Sequence, residues 1–251
     1  MSLKVFDVVQ FQTKGYLHFF GDRQLTGVTS YVNQYKLPFD KDSVSKNKAA
    51  QLTEELGRTI TQTEVLAGWN KKAQNGRALG KAVHAEIASV LSEAAGFQSM
   101  SPQLGMFDLE STEWPQVVAW RNWWREKGET KLYPVAVEQS IFDPDFNIAG
   151  TFDSLFSFTS RPDMYALIDW KTGNFNTVPY NDDDTMLPPY DDLPNCELTF
   201  YSLQLSLYNI ILKRMAEIDV HKTYIGHITE KRVDMHEVVD YRERLLKELL
   251  S

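Results

Sequence analysis

The sequence predicts an α/β fold, a mixed sheet flanked by helices, with an N-terminal extension. Three observations predict it. Residues 131–142, 150–158 and 164–171 read as strands, separated by turn chemistry at 143–147 (DPDFN) and 159–163 (TSRPD). Apolar residues recur at helical spacing before them, over 77–95, and after them, over 197–218. A further strand pattern follows at 220–228. The order helix, three antiparallel strands, helix, strand is that of helices packed on a mixed sheet.

Taken in order, 4–11 and 16–20 read as short strands with a turn at Gly21-Asp22. A helix is expected over 25–35, capped near Thr29 or Ser30, and another over 46–56, stopped by Gly57. Thr61 or Thr63 caps a helix running through Trp69. These residues, 1–76, are expected to pack as an extension on a core of 77–251. In the helix 77–95, Val83, Ile87, Val90, Leu91 and Ala94 form the apolar face, and Gly96 ends it. A loop over 97–112 leads to a helix over 114–127 with Pro115 in its first turn. Its Trp114, Trp120, Trp123 and Trp124 are read as core and partner-helix contacts, with base stacking by one of them as the alternative. A long irregular stretch, 172–196, separates the third strand from the helix 197–218, whose buried stripe is Phe200, Leu203, Leu207, Ile210 and Ile211. A strand at 232–236 and a closing helix at 238–250 complete the chain.

Composition narrows the function. At 251 residues, 43% hydrophobic and 24% charged, the chain suits one large globular domain, or one domain with an extension. One cysteine, Cys196, rules out an internal disulfide, a cysteine-based zinc site and a four-cysteine iron–sulfur cluster. No apolar run approaches the ~20 residues that span a bilayer, and the N-terminus resembles neither a signal nor a transit peptide. A cytoplasmic location, in a bacterial or phage-infected cell, is expected. The net charge of −8 argues mildly against a polyanionic partner. Its distribution does not: 180–195 holds five Asp and no Lys or Arg, whereas 46–81 holds seven Lys or Arg against three Glu.

The chemistry concentrates in the hairpin. If it is symmetric about Arg161, Asp153 lies directly across from Asp169, and Lys171 projects from the same face as Asp169. Cross-strand partners have Cβ atoms ~5 Å apart, and like charges there destabilise a sheet. Something positive is needed between them: Lys171, or a divalent cation such as Mg²⁺ or Mn²⁺. An ordinary ion pair on a surface hairpin is the plainer alternative. His84, in GKAVHAEI on the first core helix, is either structural or a further ligand beside the carboxylates. Gln204 and Tyr208 share a helix face at i and i+4, either as a buried polar ladder or beside a metal–phosphate site.

The ordered set GxxxH (Gly80 to His84), GTFD (Gly150 to Asp153), DWK (Asp169 to Lys171) and QxxxY (Gln204 to Tyr208) resembles the PD-(D/E)XK nuclease superfamily, RecB-like branch, over residues 77–228. Residues 25–40, LTGVTSYVNQYKLPFD, loosely resemble the N-terminal segment of the mitochondrial genome maintenance exonuclease group and its phage and bacterial relatives. The resemblance implies a restriction-endonuclease-like core and metal-dependent cleavage of DNA, favouring single-stranded ends in replication, recombination or repair. It implies one or two Mg²⁺ or Mn²⁺ ions held by His84, Asp153, Asp169 and the backbone carbonyl of Trp170. Lys171 would orient or deprotonate water or offset charge on the phosphorane. Gln204 and Tyr208 would shape the site, and Glu138 would be an additional acidic position. A turn centred on Asp145 sends Glu138 to the other side of the sheet from Asp153; a half-residue shift brings it across. The chain departs from relatives with an iron–sulfur cluster, lacking their cysteines, and from those fused to a helicase, lacking a G-x-x-x-x-G-K-[ST] loop. It would stand alone or act with a replication or helicase partner. A non-catalytic DNA-binding module on the same fold, or an endonuclease using the same site, are the competing readings. The acidic loop 180–195 is expected near the site.

Overall fold

The computed structural model describes residues 3–250 apart from 9, 15, 16, 97–113, 180 and 182. The loop expected over 97–112 and Asp182 of the acidic loop therefore lie outside the described residues.

Among the described residues the sheet has eight strands: β1 (Phe11–Lys14), β2 (Leu17–Phe20), β3 (Arg23–Gly27), β4 (Leu132–Asp143), β5 (Ile148–Phe158), β6 (Arg161–Lys171), β7 (Val220–Ile228) and β8 (Val233–Glu237). Six helices accompany them: α1 (Val28–Asn33), α2 (Lys41–Leu56), α3 (Gln62–Ala94), α4 (Pro115–Trp123), α5 (Glu197–Ala216) and α6 (Arg242–Leu249). The run α3, β4, β5, β6, α5, β7 has the predicted order, and helices flank a mixed sheet on both faces as in a restriction-endonuclease-like core.

Strand β5 is the axis. Along one edge it pairs with β4, from Leu132↔Phe158 to Asp143↔Ile148. Its other edge is divided. Parallel β3 takes Ile148 and Ala149, while antiparallel β6 takes Ser154 to Phe158. Between them, over residues 150–153, the sheet forks. On one face Val83, Ile87 and Leu91 of α3 and Val117 and Trp120 of α4 close on Phe156, Ile168 and Trp170. On the other, α5 is buried without a break from Ser202 to Leu212, and its Leu203, Leu207 and Ile211 share one core with Leu245 of α6.

Several expectations about elements change. Residues Lys4–Phe6 form a 3-10 turn instead of a strand, and β3 occupies the start of the expected 25–35 helix. The helix there starts at Val28 with Gly27 as its N-cap, because Thr26 and Gly27 are drawn into pairing with β5. Helix α2 begins five residues early, capped by the Asp40 carboxylate, which accepts from Ser43 N at 3.0 Å. The two helices expected within 61–95 are one. A capping box, Thr61 with Glu64, starts it, and no proline interrupts it. Gly68 and Gly76 each cost helix stability of about 1 kcal/mol relative to Ala, yet α3 runs through both. The 76/77 boundary falls inside α3. Helix α4 ends early in a π turn, Trp124–Gly128. Trp120 and Trp124 are buried, which makes them core residues. The expected closing helix begins only at Arg242; ahead of it, Ser202 and Ser206 of α5 accept from Val239 N and Tyr241 N and hold that segment extended.

The hairpin turn is tighter than TSRPD suggests. Phe158 already pairs with Arg161, leaving Thr159-Ser160 as the turn, with 161–163 inside β6. A bulge between Ser157 and Phe158 then restores a register centred on Arg161: Ser154 faces Ile168 and Leu155 faces Leu167. Continued one step, this puts Asp153 across from Asp169. The acidic loop packs on the turn after α1 and on α6. Leu187 N bonds Tyr35 O at 2.8 Å, and Arg244 pairs with Asp192 at 2.6 Å. No helix of the described residues is long and apolar enough to cross a membrane.

Candidate metal and phosphate site

The fork in the sheet assembles the predicted residues. Asp153 sits where β5 has lost its ladder partner on that edge. Its Oδ2 accepts from Trp170 N at 2.6 Å, replacing the backbone acceptor that the diverging strands no longer supply. Asp153 is 8% exposed and Asp169 3%. The Asp169 carboxylate forms an ion pair with Lys171 Nζ. His84 enters from α3. Its Nε2 lies 3.0 Å from Trp170 O, and its Nδ1 lies 3.1 Å from Glu138 Oε1 and 3.7 Å from Asp153 Oδ1.

Glu138 resolves the ambiguity of its facing. The β4–β5 register is the half-residue-shifted one, with Val137↔Ser154 and Gln139↔Phe152 flanking a Glu138–Asp153 position that makes no ladder pair. Glu138 has φ +46°, a left-handed conformation inside a strand. For a residue with a Cβ this costs on the order of 1–2 kcal/mol, and such strain concentrates at functional positions. Here it aims the carboxylate at His84.

Ligand atoms of His84, Glu138 and Asp153 all lie within 4.8 Å of one another. One imidazole and two carboxylates form a donor set suited to a hard or borderline divalent cation, while the Trp170 carbonyl meets the opposite imidazole nitrogen, Nε2. In this arrangement Asp169 stands outside the trio and is engaged by Lys171.

The charges explain each other. Burial works to lower the His84 pKa, but Asp153 and Glu138 outweigh it and push it up to about 9. The imidazolium thus acts as counter-ion to two carboxylates. Burial raises Asp153, and raises Asp169 to about 6 against the pull of Lys171. Burial works to lower the Lys171 ammonium, yet Asp169 and Asp153 hold it above its ordinary value.

Gln204 and Tyr208 are buried on α5. Burial raises the Tyr208 phenol, and Asp169 and Asp153 add to the rise, which places the ring in their field. Its ring lies against Gly150: a Cβ there would stand 2.7 Å from Tyr208 Cε1. This close approach links the first residue of GTFD to the last of QxxxY. Gly150→Ala is expected to lower stability by about 1–3 kcal/mol by pushing α5 off β5, measured by urea unfolding.

Two neighbours were missed from sequence. Thr29 of α1 reaches Gln204 Oε1 at 3.5 Å, and the Tyr201 ring lies 4.7 Å from Lys171 Nζ. Tyr201 had a signal, since it stands at i−3 from Gln204 and i−7 from Tyr208 on one helix face. Thr29 had none beyond the loose resemblance over 25–40. Among the described residues the acidic loop is anchored on Tyr35 and Arg244, and no hydrogen bond or ion pair joins it to Asp153, Asp169 or Lys171.

No protein-family model matches the sequence, and no curated protein matches it. Among solved structures, a protein from Eubacterium rectale, described provisionally as an exonuclease, is 14% identical with a TM-score of 0.31. The match covers 45% of this chain and 41% of that one.

Proposed function

We propose that this chain is a Mg²⁺- or Mn²⁺-dependent nuclease that hydrolyses DNA phosphodiester bonds, acting as an exonuclease on single-stranded ends. The observation that carries the reading is the convergence of His84, Glu138 and Asp153 within 4.8 Å beside the Asp169–Lys171 pair. A fold gains nothing from crowding three carboxylates and straining Glu138 unless the cluster meets a ligand.

His84, Glu138 and Asp153 would hold the cation, with Asp169 and the Trp170 carbonyl as further oxygens. The ion would polarise the phosphate and make an attacking water more acidic. The chain's own groups do the rest. Lys171, fixed by Asp169 and the Tyr201 ring, sets a positive charge where negative charge builds on the phosphorane. Tyr208 and Gln204 wall the site, and Trp170 N keeps the Asp153 carboxylate aimed. Uncatalysed phosphodiester cleavage is so slow that positioning and electrostatics must supply most of the acceleration.

End-labelled linear and circular single-stranded DNA, incubated with Mg²⁺, Mn²⁺ or EDTA, test this. Linear DNA is expected to be cut and circles spared, with all cutting lost in EDTA. Cut circles would make the enzyme an endonuclease. DNA bound but uncut under every condition would leave only a binding module.

Cation binding should also release protons. A ligand imidazole must be neutral, yet His84 holds its proton up to about pH 9 without metal. Apparent Mg²⁺ or Mn²⁺ affinity is therefore expected to rise as pH increases from 6 towards about 9. Titration calorimetry in buffers of different ionisation enthalpy should record net proton release above neutral pH, and clearly less for His84→Ala.

A further inference from the structure

Beside Lys171 lies a group of rings of which hydrolysis uses only the first, Tyr201. The Tyr201 ring, against the Lys171 ammonium, stacks on Phe175 at 6.3 Å and 21°. Phe175 in turn meets His236 at 4.8 Å and His227 at 5.6 Å, and the two histidine rings lie 6.4 Å apart, so the rings cluster around Phe175. The four rings come from four pieces of chain: α5, the segment after β6, β7 and β8. Register brings two of them in: Lys171 pairs with His227, and Ile225 pairs with His236. All four rings are partly exposed, whereas Trp120, Trp124, Trp170, Phe152 and Phe156 are at most 4% exposed. These four rings are thus less buried than the core rings, and the group begins at Lys171.

We propose that Phe175, His236 and His227, reached from Lys171 past Tyr201, form a stacking track for the unpaired bases of a single-stranded nucleic acid. The proposal rests on the hydrolytic reading, in which the phosphate lies at Lys171. Every base has a π face, so a row of rings grips a strand without reading its sequence. Within a duplex those faces are covered by neighbouring pairs, so only a single strand or a frayed end can use the track. Phosphodiester chemistry is the same in both forms, and the track supplies a strand preference that the cation cluster cannot. The occupant follows from continuity: the first ring is the one the Lys171 ammonium sits on.

The test uses the full chain in the Asp153→Asn background with Mg²⁺, and reads fluorescence anisotropy of a labelled oligothymidylate and of the same backbone carrying abasic sites. Phe175→Leu keeps the apolar volume and removes the π face. It should weaken oligothymidylate binding about 5- to 150-fold and leave abasic-strand binding unchanged, and Phe175→Trp should restore the loss. Parent-like binding by Phe175→Leu, or equal weakening on both strands, would overturn the track and leave the hydrolytic reading standing. A protein that binds neither strand, both in this background and with Asp153 intact, would overturn both.

Discussion

Asp169→Asn should yield a protein that no longer cuts DNA yet unfolds at a higher temperature than its parent in metal-free buffer. The carboxylate is 3% exposed and shares its pocket with Asp153. Burial raises its pKa to about 6 from an ordinary 3.8, even with Lys171 alongside. A raised carboxyl pKa means that ionisation costs more in the fold than in the unfolded chain, so at pH 7 the charge works against folding. An amide of the same shape removes that cost, on the order of 2–3 kcal/mol at 1.36 kcal/mol per pKa unit. For a chain of this size the melting temperature should rise by roughly 5 °C. The gain belongs to neutral pH; below about pH 4, where the parent carboxyl is protonated in both states, the two proteins should converge. Cleavage should fall at least about 10³-fold, because the amide neither holds a cation well nor fixes the Lys171 ammonium. Calorimetry and an end-labelled cleavage assay read the two effects separately. An Asp169→Asn protein cutting at the parent rate would remove Asp169 from the site.

How far the sequence carried depended on the range of the determining contacts. The Asp153–Asp169 juxtaposition was legible because residues near the hairpin obey a two-residue period. It survived a wrong turn length, since the bulge at Ser157/Phe158 cancelled the difference between a turn centred on Arg161 and the two-residue one. The α5 stripe was legible for the same local reason, and all five of its predicted residues are buried. What was not legible depends on long-range pairing. Strand β3 is too short and mixed to show a period, and it is a strand because β5 offers it two residues at the fork. The left-handed backbone at Glu138 has no sequence signal, since Glu is a poor occupant of that conformation. That Glu138, not Asp169, joins His84 and Asp153 in the tightest group follows from this backbone twist and from Lys171's hold on Asp169.

Lys171→Ala should have the opposite effect on stability and the same effect on activity. The ammonium is held above its ordinary pKa because Asp169 and Asp153 outweigh its burial, so its charge favours folding. Removing it leaves two buried carboxylates with only His84 as counter-charge, and breaking a buried pair from one side costs about 3–5 kcal/mol. The variant should therefore melt well below the parent in EDTA. Mg²⁺ or Mn²⁺ should recover a larger part of that loss than either gives the parent, because a cation can occupy the charge vacancy. Activity should not recover with it. Loss of the positive charge beside the phosphorane is expected to cost about 10³-fold in kcat, and Lys171→Arg should rescue it poorly, since a planar guanidinium does not replace a compact ammonium wedged between Asp169 and the Tyr201 ring. Combining the two substitutions separates charge balance from chemistry. In metal-free buffer, Asp169→Asn/Lys171→Ala should be more stable than Lys171→Ala alone by more than Asp169→Asn gains in the parent, because there the amide relieves an uncompensated carboxylate. It should remain as inactive as either single variant. If the double variant instead shows simply additive stabilities, the ion pair contributes little, and the site's charge balance rests on His84.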